Sequence, residues 1–376
     1  MDMEQDMNID ETSKALNAVW ETQGLEPNIV TDQQTSRQGK NQLSQITTAV
    51  LTSTEIASLW TQYMNDTMAI CFSKYALATI EDAEIKTIYQ NALELSKKHL
   101  IRIKEFFDQE NFPVPYGFTE HDVNLKAPRL FLDAFFLNYM LVMTYHGLTG
   151  YAVSLQVASR PDMREYYTEC NHEAIQLYNE IMDVALSKGL YTRPPYIYSP
   201  EIPEIAQPGF LTGWIGRKRP LSAIEISNIS FNMNKTYLSK ALSMAFAQVA
   251  NDPKVKQYLK RGLNLSTKIT EVFHKFFIDT NLNFPISWES MVTNSTTPPF
   301  SDKLIMFHIG FLSSAAVGFY GAGQAVAMRR DLSLAYMKLI GQQLLFSEDG
   351  AELMLEKGWF EKPPMAEDRN RLMVKH

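Results

Sequence analysis

The chain carries the same sequence pattern twice. A block from about residue 51 to 195 returns from about 221 to 364 at a nearly fixed offset. Leu51, Glu55 and Ile56 match Leu221, Glu225 and Ile226, while Phe106 and Phe107 match Phe276 and Phe277. Asn111-Phe112-Pro113 matches Asn283-Phe284-Pro285 after a short insertion, and Asp133, Arg160 and Asp162 match Asp302, Arg329 and Asp331. Both blocks close alike, on Lys188-Gly189 with Pro194-Pro195 and on Lys357-Gly358 with Pro363-Pro364. An offset that drifts only in one connecting loop means one supersecondary unit used twice. Each repeat, at roughly 145 residues, is large enough to bury a core of its own.

Each repeat opens with a capping box, Thr52-Ser53-Thr54-Glu55 and Ser222-Ala223-Ile224-Glu225. The hydroxyl can take an orphan backbone N–H while the Glu reaches back, so a helix starts at the same place in both. In repeat 1 the pattern predicts four helices near 54–79, 83–110, 127–159 and 163–187. The connection 111–126, with Pro113, Pro115 and Gly117, is long enough to run the length of a bundle, whereas the other two are tight turns. Short, long, short is the pattern of a four-helix bundle with one crossover. Repeat 2 follows, with its crossover at 281–299. The predicted fold is all-α: two tandem four-helix bundles at 51–195 and 221–364, each with a long crossover between its second and third helix. A polar arm (1–50) precedes them, a Pro/Gly linker (196–220) with Phe210 and Trp214 joins them, and a tail (365–376) follows.

A formal charge of -7 argues against nucleic acid as a partner. Arg217-Lys218-Arg219 is the one run of three basic residues and reads as a solvated linker face. Two cysteines, Cys71 and Cys170, fit a reducing compartment without a disulfide framework. The acidic start Met-Asp-Met-Glu-Gln-Asp lacks the features of a signal peptide, so a cytoplasmic protein is expected. The stretches 135–159 and 304–328 carry no formal charge and are long enough to cross a bilayer. Asn138, His146 and Gln156 in the first, and His308, Ser313, Ser314 and Gln324 in the second, interrupt them along their length, which favours bundle interiors over membrane helices.

Chemistry in such a bundle sits at mid-height, on carboxylates and histidines of facing helices. Counted from the turns, Asp66, Glu94, His146 and His172 converge on the middle of repeat 1. His99 lies a turn further on. Glu169 precedes His172 by three residues, a Glu-x-x-His spacing that lets both side chains reach one ion. Asp66, Glu94, His99, His146, Glu169 and His172 are therefore candidate metal ligands, of types that suit iron or manganese. The alternative is that the histidines are satisfied interior or groove residues and Glu169 is solvated. Repeat 2 has Thr236, Asn264, Ile269, Ala315 and Gly341 in place of Asp66, Glu94, His99, His146 and His172. No Gly-rich phosphate loop, Gly-x-Ser-x-Gly elbow or Cys-x-x-Cys occurs, so no catalytic residue is assigned.

The Leu-Thr-x-x-Glu start, the run Asn111-Phe112-Pro113-Val114-Pro115-Tyr116-Gly117-Phe118-Thr119-Glu120, and Asp122-Val123-Asn124 resemble the family called domain of unknown function 3231. So do Ala127-Pro128-Arg129-Leu130-Phe131, Asp133, Arg160-x-Asp162 and Lys188-Gly189-Leu190-Tyr191. That family occurs as tandem repeats in Bacillus-like, spore-forming bacteria. The resemblance covers both repeats and implies a ferritin-like fold related to spore coat protein F. In the crossover of repeat 2, Trp288-Glu289-Ser290-Met291-Val292 replaces the Gly-Phe-Thr-Glu run. It implies a non-catalytic structural or interaction protein of sporulating cells, spore-associated, with other spore or coat proteins as partners. A ferritin-like iron- or manganese-binding oxidoreductase or metal store built on repeat 1 is the alternative.

Overall fold

The computed structural model describes residues 49–373 except 201, 203, 208 and 212–217. Nearly all of the polar arm, with Trp214 and Arg217 of the linker, lies outside the described residues. The fold is all-α. Repeat 1 consists of α1 (Ser53–Thr79), α2 (Ala83–Gln109), α3 (Asp133–Val157) and α4 (Pro161–Ser187). Repeat 2 consists of α5 (Ala223–Val249), α6 (Pro253–Ile278), α7 (Asp302–Ala325) and α8 (Arg330–Glu356), before a short α9 (Arg369–Met373). The hairpins α1/α2, α3/α4, α5/α6 and α7/α8 pair most closely, and α1 meets α3 and α2 meets α4 within repeat 1, as α5 meets α7 and α6 meets α8 within repeat 2.

The residues that recur in the sequence tie the bundle ends. Glu55 caps α1 through Thr52, and its carboxylate also accepts from the backbone N–H of Ser159 (2.8 Å) and Arg160 (2.9 Å) at the α3–α4 turn. Burial would raise its pKa, but these N–H groups outweigh burial and hold it down at about 2. Glu225 repeats the arrangement with Ser222 and the N–H of Arg329 at 2.8 Å. Asp133 accepts from the N–H of Asp82 at 2.8 Å, and Asp302 from that of Asp252 at 2.7 Å, so each third helix grips the turn between the first two. Gly189 (φ 65°) and Gly358 (φ 66°) take the left-handed conformation that ends α4 and α8 in paired C-cap bonds. Arg219 is no solvated linker residue: it forms a two-pronged pair with Glu225 and lies over the Phe210 ring, while Lys218 pairs with Asp331.

Two boundaries differ from the sequence reading. The third helix starts at Asp133 and not near 127, because Pro128 and the backbone of 130–132 belong to the crossover. The left-handed asparagine closing α6 is Asn281 (φ 56°), the counterpart of Asn111 (φ 52°), so the insertion in repeat 2 falls after the turn and Asn283 is not its structural equivalent.

The two crossovers bind to each other. Val123 bridges to Phe300 and Phe131 to Val292, in antiparallel sense. Asn124 donates to Pro299 (2.8 Å), Leu132 to Met291 (2.9 Å), Thr293 to Leu130 (2.9 Å) and Ser301 to Asp122 (3.0 Å). Val292, Thr293, Phe300 and Ser301 stand in repeat 2 where Val123, Asn124, Phe131 and Leu132 stand in repeat 1, so each bond has a partner with the roles exchanged. This is an approximate two-fold axis. It passes beside Tyr139 and its counterpart His308, whose side chains meet at 3.2 Å. Phe72 stacks on Tyr139 (centroids 3.9 Å) and Phe300 (5.3 Å), so the apolar core runs through both repeats. By length and composition α7 is a helix able to cross a bilayer; here it packs on α5 and α8 and buries Leu304, Ile305 and His308.

Candidate functional site

Repeat 1 holds a partly open cavity of about 300 Å³ between its four helices, lined by Met68, Phe72, Met140, Met143 and Leu177, with Phe311 of repeat 2 on one side. The corresponding space in repeat 2 is about 30 Å³. Phe346 and Gln343 occupy the positions of Leu177 and Ala174. Phe346 presses on Gly262, where an added Cβ would meet its ring at 2.8 Å, and Gln343 bonds to Ser313.

The floor of the cavity is ionised. His99 of α2 is buried (4 % exposed), and its Nε2 lies 2.7 Å from Glu173 Oε2 of α4. Its Nδ1 lies 3.7 Å from Asp66 Oδ2 of α1, a separation for charge attraction but not a hydrogen bond. Cys170 is fully buried one turn before Glu173, and Gln62 Nε2 approaches its Sγ at 3.9 Å. Tyr151 and Tyr166 present their rings edge-on to the imidazole. Lys98 reaches over from α2 to pair with both Glu173 and Glu169. Burial alone would lower the His99 pKa; Asp66, Cys170 and Glu173 reverse that and hold it well above the usual histidine range. Burial likewise opposes ionisation of Glu173, and His99 and Lys98 pull its pKa below the ordinary value. The imidazolium is thus held between two carboxylates.

Of the six residues expected as ligands, Asp66, His99 and His146 line the cavity. His146 stands apart from the floor, packed against Phe311 and Phe319, with a buried Nε2 that meets no partner. Burial first, then electrostatic repulsion from Lys235 and, were it protonated, His308, lower its pKa to about 3. Glu94, Glu169 and His172 are on the outer face: Glu94 pairs with Lys97, Glu169 with Lys98, and His172 is exposed. The reason is helical phase. On α4 the inward stripe is Met163, Tyr166, Tyr167, Cys170, Ala174, Leu177 and Ile181, and residues 169 and 172 fall outside it. Cys170 and Glu173 are the site residues that the Glu-x-x-His spacing passed over, although the apolar stripe on either side marks their face.

These features define a class: an all-helical protein of two fused copies, one open at its centre and one packed. The chain belongs to the family described as protein of unknown function DUF3231, whose model matches residues 42–202 and again 209–372. No curated protein matches it. A crystal structure described as that of a candidate spore coat protein from Bacillus halodurans is similar at 15% identity, covering 40% of this chain and 98% of its own, with a TM-score of 0.37. A likeness at that level carries no weight for function.

Proposed function

We propose that the protein is a non-catalytic binding and structural component of sporulating cells, in which repeat 1 holds a small amphipathic molecule and repeat 2 is its packed support. The observation that supports this reading is the contrast between two copies of one fold, about 300 Å³ of space against about 30 Å³. Unfilled space in a core is destabilising, and in repeat 2 Gln343 and Phe346 stand in it where repeat 1 has Ala174 and Leu177. Met68, Met140 and Met143 supply flexible, polarisable walls that adapt to an apolar body. The charged floor at Asp66, His99 and Glu173 suits a polar end.

Fluorescence titration with 1-aminoanthracene tests the cavity. One saturable site with micromolar affinity is expected, weakened at least about tenfold in the double variant Ala174→Gln, Leu177→Phe, which copies repeat 2. Equal binding by the filled variant, or none by the natural chain, would remove the reading. The sporulation setting rests on the family resemblance. Immunoblots are expected to find the protein in sporulating cells and purified spores; absence from both would discard that part.

A further inference from the structure

His99 on α2 and Cys170 with Glu173 on α4 bring three metal-binding side chains together from two facing helices. Their ligand atoms all lie within 4.8 Å of one another. Cys170 and Glu173 are three residues apart and so share one helix face. A tetrahedral ion with bonds of about 2.0–2.3 Å needs ligand atoms roughly 3.3–3.8 Å apart, which asks for about an ångström of side-chain adjustment. We infer that His99, Cys170 and Glu173 form a binding site for a divalent ion of the zinc type, with Asp66 as the residue that positions the imidazole.

Three observations carry this beyond a buried ion pair. The first is orientation: Asp66 sits on the Nδ1 side of His99, which leaves Nε2, the atom now on Glu173, as the ligand atom. That is the carboxylate–histidine–metal order of known sites. The second is incompleteness. Asp66 Oδ2 and His99 Nδ1 are both buried without a hydrogen-bond partner, on residues 5 % and 4 % exposed. The third is dispensability to the fold. Repeat 2 has Thr236, Ile269, Leu339 and Gln342 at the positions of Asp66, His99, Cys170 and Glu173, and Ile269 and Leu339 pack there as ordinary core.

Access is from the outer groove between α2 and α4, where Lys98 and Glu169 stand beside the three ligands. Lys98 already pairs with both carboxylates and is half exposed, so it can stay on Glu169 while Glu173 turns to the ion. The thiolate selects zinc over iron or manganese. Three protein ligands leave a fourth position open.

The test is titration of the full chain, purified without chelator or His-tag, with Co²⁺ as the spectroscopic probe and Zn²⁺ as competitor. One equivalent of Co²⁺ is expected to give a thiolate-to-cobalt band and tetrahedral d–d bands, both abolished by Zn²⁺. Cys170→Ser should remove the thiolate band, Asp66→Asn should weaken affinity about 10–100-fold, and His172→Ala, on the exposed face of α4, should change neither. Circular dichroism checks that each variant is folded; should Cys170→Ser unfold, Glu173→Gln, nearer the surface, carries the comparison through a loss of affinity of at least about tenfold. A folded natural chain without a thiolate band, or a band that survives in Cys170→Ser, would overturn the inference. Binding of 1-aminoanthracene reads the cavity separately, so either result can fail alone.

Discussion

Lowering the pH from 6.5 to 5 is expected to cost the folded protein about 3 kcal/mol, most of it through His308 and His146. His308 is fully buried, and burial lowers its pKa to about 3. Its Nε2 meets the Tyr139 hydroxyl, and Phe72 and Phe246 pack against the ring. His146 is lowered to a similar value by burial and by Lys235 and His308. Both are neutral in the fold and become protonated once the chain unfolds, so the unfolded state binds more protons from pH 6.5 down to about 3. Stability is therefore present above pH 6.5 and lost as the pH falls, by about 1.4 kcal/mol per unit for each fully buried histidine. His146, partly open to solvent, contributes less.

His274, lowered by burial and by Lys240, adds a smaller loss of the same sign, while Lys235 and His99 leave this window unchanged. Lys235 has its pKa lowered by burial to about 7, so its linkage acts between 10.5 and 7. His99, raised in the fold, is protonated in both states below 6.5. Urea unfolding across pH 5–7 checks the slope, and His308→Asn should remove about half of it. An unchanged slope in that variant would show that the loss comes from elsewhere.

Phe72→Ala is expected to destabilise the chain by about 4 kcal/mol, near the upper range for a core phenylalanine. Phe72 is 1 % exposed, stacks on Tyr139 and Phe300, and meets Phe136 and His308 edge-on. The cavity it would leave lies between the repeats and against the existing space in repeat 1, where the surroundings have little means to collapse. Phe276→Ala removes a phenylalanine of similar size that sits under Arg329 within repeat 2 and is more exposed, at 7 %. It should cost less. Denaturant midpoints compare the two, and an equal or smaller loss at Phe72 would show that the junction between repeats contributes no more than an ordinary core position.

The helices and turns were legible because their signals are local. Thr52 with Glu55, Ser222 with Glu225, and Lys188-Gly189 with Lys357-Gly358 each declare a helix end within a few residues. The pairing of the crossovers was not legible, since nothing near Val123 or Phe131 says that the partner backbone lies in the other repeat. Counting along helices put Asp66 at the middle of the bundle and His99 a turn further on, and both line the cavity. It did not fix rotation. A residue apart on a helix means about 100° around it, and that difference put Glu169 and His172 outside while Cys170 and Glu173 turned in. Ala174 and Leu177, which line the cavity, carry no chemical signature and stood out only beside Gln343 and Phe346 of repeat 2.

The exchange of roles between Val123–Phe300 and Phe131–Val292 has a consequence for chains that carry the unit once. One copy already displays both sides of this ladder, so two identical copies would close it as an isologous homodimer with nothing left unpaired. Joining them in one polypeptide makes that association independent of concentration. It also breaks the identity that a dimer imposes, in which any substitution appears on both sides at once. A fused pair can keep histidine and cysteine in one half and replace them with isoleucine and leucine in the other, so duplication here is what permits a lopsided molecule.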